Sequence, residues 1–280
     1  MLSFNKSHGL GNDFIIIDDC KDGISDYASL ARRLCNRFTG VGADGLLVML
    51  ESRTCNVRMR IFNSDGSEAQ MCGNGIRCFA KYVYEKGIVT EPEFSVETRG
   101  GVMRPRLNLN RSAVESVTVD MGTPMFGRAS IPMLGKGRFL MQKIKVLNRE
   151  FTVSSMFMTI PHTVVFVDDI NSIDVGQYGP AIERHPLYPE GTNVNFVQVL
   201  DSGSIAARPW ERGCGITLAC GTGASASAVA CALAGLTRRR VNVNLELGKL
   251  EILYSPSGRV YMTGPAENVF EGTINQYILG

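Results

Sequence analysis

Apolar and polar positions alternate in several short stretches of this 280-residue chain. Val57, Met59 and Ile61, then Val117 and Val119, then Val241, Val243, Leu245 and Leu247 each place apolar side chains two residues apart. That is the period of a strand with one buried face. Glycine turns such as Gly100-Gly101 and Ser257-Gly258 separate the runs, and this hairpin-like spacing predicts sheets that are antiparallel or mixed rather than purely parallel.

Two helical stretches interrupt the strands, and each follows a C-G-x-G turn: Cys72-Gly73-Asn74-Gly75 and Cys220-Gly221-Thr222-Gly223. They end at Gly87 and Gly235. In the first, Ile76, Phe79, Ala80 and Val83 form an apolar stripe at helical spacing, which leaves Lys81 and Glu85 to solvent. The second is apolar or small almost all round, the pattern of a helix enclosed by other structure. The two cysteines are 148 residues apart (220 − 72), about half the chain. This echo predicts two similar domains, each bringing one helix start to a shared cleft.

Composition narrows the chemistry. A 44% hydrophobic content supplies enough apolar material for real cores. With 29 Lys and Arg against 27 Asp and Glu, no broad field points to nucleic acid or a membrane, and a small-molecule partner suits the balance better. There is no secretion-signal pattern and no apolar run approaching the roughly 18 residues of a membrane span, so a cytoplasmic protein is expected. The eight cysteines show no C-x-x-C spacing and the three histidines, His8, His162 and His185, are scattered. Reduced thiols and no metal site follow as expectations.

A cysteine at a helix start differs chemically from one in a core. Exposed N–H groups and the positive end of the helix dipole favour the thiolate, a competent base near neutral pH. Glycines at 73, 75, 221 and 223 open the same turns to a carboxylate. Two such turns facing one another would hold an amino acid's α-carboxylate with a sulfur on either side of Cα. That geometry describes two-base epimerisation, in which preoriented groups stabilise the carbanionic transition state without pyridoxal phosphate. The same features leave room for a thiol redox pair or an anion-binding module, whereas neither turn continues as G-K-[ST], which argues against nucleotide binding. Cys20, Cys35, Cys55, Cys78, Cys214 and Cys231 lack the helix-start context and read as structural.

The chain resembles the diaminopimelate epimerase family nearly end to end. The resemblance is carried by HGLGNDF at 8–14, GADG at 42–45, RIFNSDGSEAQMCGNGIRCFAKY at 60–82, GTNVNF at 191–196, ERGCGITLACGTGA at 211–224 and GPAE at 264–267. It implies an α/β fold of the α+β type with two pseudo-symmetric domains, each a barrel-like, mostly antiparallel or mixed sheet around a central helix. The first would comprise 1–118 with 267–280, and the second 119–266. It implies cofactor-independent conversion of LL-diaminopimelate to meso-diaminopimelate, a step toward lysine and cell-wall precursors, with Cys72 and Cys220 as acid and base. Gly73, Asn74, Gly221 and Thr222 match the turns at the reacting carboxylate. Asn12, Asn63, Asn193, Glu211 and Arg212 match contacts to a zwitterionic amino acid, and His162 and Glu211 match residues at the catalytic centre. A homodimer with Phe270 at the subunit contact is also implied. One departure stands out: Ile160-Pro161-His162 replaces the family's Asn-Pro-His, whose asparagine binds the distal end of the substrate. A racemase or epimerase of another amino acid is therefore the alternative substrate reading.

Overall fold

A computed structural model describes residues 1–20 and 23–274. Along the chain come β1 (Leu2–Gly9), β2 (Asn12–Asp18), α1 (Tyr27–Leu34), β3 (Gly45–Leu50), β4 (Val57–Asn63), β5 (Glu68–Ala69), α2 (Gly73–Glu85), β6 (Val96–Thr98), β7 (Gly101–Met103), β8 (Arg106–Asn110) and β9 (Ala113–Gly122). There follow β10 (Phe139–Val146), β11 (Arg149–Met158), β12 (Ile160–Phe166), α3 (Val175–Glu183), β13 (Asn193–Asp201), β14 (Ser204–Glu211), β15 (Gly215–Ile216), α4 (Gly221–Leu233), β16 (Arg240–Leu245), β17 (Gly248–Tyr254), β18 (Val260–Gly264) and β19 (Glu267–Ile274).

Two compact units result: Met1–Val119 with the C-terminal return from Gly264, and Asp120–Thr263. In the first, the strand order is β19-β1-β2-β3-β4-β6-β7, with β5 paired to β4. The pairs β2–β3 and β4–β6 are parallel and the others antiparallel. The second unit repeats this as β10-β11-β12-β13-β14-β16-β17, extended by β18, with β15 on β14. Its parallel pairs, β12–β13 and β14–β16, fall at the matching places. The fold is thus α+β in two units of like topology. Among the described residues neither strand order closes on itself, so each sheet is an open, mixed one rather than a closed barrel.

The repeat extends to single residues. Moving 148 positions along carries β2, α1 and α2 onto β12, α3 and α4, and the ladder pair Phe14–Gly45 onto His162–Asn193. Asp26 and Asp174 cap α1 and α3 in the same way, accepting from Ser29 N and Gln177 N, which satisfies one of the donors a helix start leaves open. The hairpin before β2 and β12 differs by one residue. Gly9 pairs with Asn12 around left-handed Leu10 and Gly11, whereas Met158 pairs with Ile160 around Thr159 alone, whose φ is 68°.

Val57, Met59, Ile61, Val117, Val119, Val241, Val243 and Leu245 are buried, as the alternation predicts. Leu247 is not: β16 ends at Leu245 and Leu247 sits exposed in the turn to β17. Helix α2 is also more enclosed than its apolar stripe suggests. Arg77 is fully buried, and Lys81, assigned to solvent by periodicity, is largely covered and donates to Val114 O at 3.3 Å. Helix α4 is buried from Gly223 through Cys231, as expected for a helix without a polar face.

Candidate active site

In the first unit Cys72 caps α2 in an extended conformation (φ −141°, ψ 122°), and its sulfur accepts from Gly75 N at 3.4 Å. Its side chain is directed at Asn12 Oδ1, 3.9 Å away. The same oxygen accepts from Asn74 Nδ2 at 3.1 Å, while Asn12 Nδ2 donates to Asp44 Oδ2 at 2.7 Å. Asn12, Cys72, Gly73 and Asn74 are therefore brought together. Asn63 is not joined to them by these bonds: it lies exposed at the end of β4, where Nδ2 donates to Ser67 Oγ at 2.9 Å. Behind Asn12, Asp13 and Asp44 share Arg37, with Nη2 distances of 2.8 Å to each, and Lys6 bonds both Asp13 and the Gly42 carbonyl. Burial alone would raise the Asp13 carboxyl, but hydrogen bonds from Arg37 and Lys6 outweigh it and hold the group down at about 2.

In the second unit Cys220 caps α4 (φ −126°, ψ 110°), accepting from Gly223 N at 3.4 Å, with Thr222 Oγ1 also 3.4 Å from the sulfur. Glycine at 223 is a steric requirement, since a Cβ there would lie 2.1 Å from Asn195 Oδ1. Burial, reinforced by the negative charge of Glu211, pushes the Cys220 thiol well above its ordinary range, against the bonds from Thr222 and Gly223. At this sulfur, loss of water and the carboxylate outweigh the backbone donors that a helix start supplies.

Glu211 is held by Thr217 Oγ1 at 2.6 Å. Asn193 is buried, donating to Pro161 O at 2.8 Å and accepting from Arg212 N at 3.0 Å. The Arg212 guanidinium instead reaches the Glu190 carbonyl at 2.5 Å. His162 is fully buried, and burial pushes it down to about 3, so the ring is neutral at ordinary pH. Its Nδ1 lies 3.1 Å from Asn195 Nδ2; accepting there leaves the proton on Nε2, a buried atom with no hydrogen-bond partner among the described residues.

Arg77, Asp44, Asn195 and Thr217 belong to these clusters and were not singled out from sequence. Arg77 carried a usable signal: spaced four from Gly73 and three from Ala80, it falls on the inward face of α2. None of the eight cysteines is in a disulfide among the described residues. Burial pushes Cys35, Cys78 and Cys231 up to about 12, in keeping with structural roles, but Cys214 is exposed in a turn and packs no core. Among the described residues no cluster of His, Cys, Asp and Glu could hold a metal ion, and no helix is long and apolar enough to cross a membrane.

Two copies of one α+β unit define the class of fold. It is shared by a phenazine biosynthesis protein of Bacillus anthracis, with a TM-score of 0.73 at 15% identity over 98% of this chain and 99% of that one. A probable proline racemase from Agrobacterium radiobacter shares it at a TM-score of 0.70 and 17% identity, over 98% and 93% of the two chains. Sequence is more specific. The family model described as diaminopimelate epimerase matches residues 4–127 and 154–269. Curated relatives named diaminopimelate epimerase include one from Caldanaerobacter subterraneus subsp. tengcongensis, 48% identical over 98% of this chain and 99% of its own length. Another, from Moorella thermoacetica, is 49% identical over 97% and 98%. The chain belongs to the diaminopimelate epimerase family.

Proposed function

We propose that this protein interconverts LL-diaminopimelate and meso-diaminopimelate in the cytoplasm, on a route to lysine, by proton exchange at two thiols without a cofactor. The observation that carries this is the pair of matched turns: in a chain of this family, Cys72 and Cys220 each cap a helix start opened by glycines. Inversion requires one sulfur on each face of Cα. The thiolate of Cys72 takes the α-proton, the electron pair passes into the α-carboxylate, and the thiol of Cys220 returns a proton to the opposite face. Cys72 is then a thiol and Cys220 a thiolate, ready for the reverse direction. Cys220, which its surroundings keep protonated, suits the donor role.

The backbone amides at Gly73, Asn74, Gly221 and Thr222 bind the α-carboxylate where charge builds up. Neutral His162 contributes a hydrogen-bond donor rather than a charge. Glu211 keeps the Cys220 proton in place and accepts from the substrate ammonium, while Asn12, Asn63, Asn193 and Arg212 receive its remaining polar groups. The active form is a homodimer. In support, Phe270 lies half exposed on β19, the last strand of its sheet, with its ring edge-on to Phe4 at 5.8 Å.

Incubating the protein with LL-diaminopimelate and a panel of free amino acids in deuterated water tests the reading. Deuterium should enter Cα of diaminopimelate as the meso isomer accumulates. Faster turnover of another amino acid would reassign the substrate.

A further inference from the structure

Arg77 is the largest fully buried side chain among the described residues, and its position in α2 is not explained by packing alone. Burying a guanidinium is costly unless its donors are used. Here Nε donates to Pro265 O at 3.2 Å, and Nη1 donates to Gly73 O at 3.2 Å and to Asn74 Oδ1 at 3.0 Å. The last bond has a consequence for the site. A guanidinium can only donate, so Asn74 must turn its oxygen to Arg77 and its NH2 to Asn12. Asn12 must then present Oδ1 to Asn74 and its own NH2 to Asp44, which accepts it at 2.7 Å. Both amides, whose two ends are similar in shape, are fixed in one sense: Asn74 by Arg77, and Asn12 by Asn74 at its oxygen and Asp44 at its NH2. The outcome is that an oxygen, not an NH2 group, faces the Cys72 sulfur. The second unit contains no such relay: 148 positions on, Arg77, Asn74 and Asn12 are replaced by Ser225, Thr222 and Ile160, and Ser225 bonds only back to Gly221 O.

We infer that Arg77 is a positioning residue for the reaction: acting through Asn74, and together with Asp44 at the other end of the amide, it keeps the Asn12 oxygen facing Cys72. This rests on the reading of Cys72 as an acid/base group. Two measurements separate the inference from that reading. In nitrogen-resolved spectra, Arg77→Met should speed hydrogen exchange at the side-chain NH2 of Asn12, while the Asn195 amide in the second unit stays unchanged. In turnover, Arg77→Met should lower kcat/KM for LL-diaminopimelate on the order of tenfold, as for loss of a hydrogen bond to a charged group, but by less than about twofold when Asn12→Ala is already present. Arg77→Lys should recover part of the loss. Should Arg77→Met fail to fold, Asn74→Ala cuts the same relay with the cation kept and should reproduce both effects. Unchanged exchange at Asn12, or losses that simply multiply in the double variant, would overturn the inference. Altered exchange at Asn12 in a protein that epimerises nothing would instead sink the proposed function and leave the relay standing.

Discussion

Around Cys72 the chain places Asn12, Asn74 and the buried charge of Arg77, whereas the positions 148 residues on hold Ile160, Thr222 and Ser225. The helix starts themselves are alike, down to the bond from the third residue's N–H to the capping sulfur at 3.4 Å in both. The repeated backbone therefore supplies what the two turns share, a glycine-opened helix start with a capping sulfur. The side chains packed behind each turn supply what differs: a cation and amides in one unit, and in the other Glu211, which favours the protonated sulfur. In the proposed reaction one sulfur takes a proton from Cα as the other gives one to it, so unlike surroundings suit the task better than a perfect repeat.

The strongest way to break this comparison is to remove one sulfur at a time. Cys72→Ala and Cys220→Ala should each lose interconversion by at least about a thousandfold, within the range for a displaced acid or base, with thermal midpoints near that of the parent. Full epimerisation by either variant would show that the two turns are not partners. The next largest effect concerns His162, whose counterpart in the first unit is Phe14. Its folded value of about 3 lies below the ordinary 6.5, so the unfolded chain binds a proton that the folded one refuses. The stability this represents is complete above pH 6.5 and is lost as pH falls toward 3, with a slope of up to about 1.4 kcal/mol per pH unit. Urea unfolding from pH 7 to 4.5 should show that slope in the parent and a flatter limb in His162→Phe. Equal slopes would mean that the histidine is solvated in the folded state.

Much of this asymmetry was hidden in the sequence for identifiable reasons. The cysteine turns could be read because glycine and helix periodicity are local signals. Strands β2 and β3 could not be found by alternation, since Phe14–Ile17 and Leu46–Leu50 are buried on both faces, and such runs carry no period of two. Arg77 is masked because a charge on a helix ordinarily reads as solvated, and one of its partners, Pro265, lies 188 residues away. The resemblance implies that Asn193 and Arg212 contact the substrate, but no local pattern encodes that Asn193 bonds the Arg212 backbone while the guanidinium turns to Glu190.

A smaller effect is expected at Ile160, where the first unit has Asn12. Ile160→Asn should raise kcat/KM for LL-diaminopimelate relative to other amino acids about fivefold, the worth of one neutral hydrogen bond. A ratio that stays constant across the panel would make position 160 a packing difference with no part in specificity.

The smallest effect sharpens the comparison at the residue just before. Thr159 precedes β12 as Gly11 precedes β2, and both are left-handed, with φ of 68° and 84°. Glycine adopts that conformation freely, whereas a β-branched residue there is an outlier that costs about 1–2 kcal/mol. Thr159 is exposed, so shortening it removes no core contact. Glycine returns part of the gain through the extra freedom of the unfolded chain, about 0.5–1 kcal/mol. Thr159→Gly should therefore raise stability by about 0.5–1 kcal/mol, seen as a higher urea midpoint at unchanged slope. Thr159→Ala, which loses the branch but keeps Cβ, should gain less. A fall in stability with glycine would mean that the threonine side chain itself holds the turn, and that the second unit has replaced the glycine solution of the first with a different one.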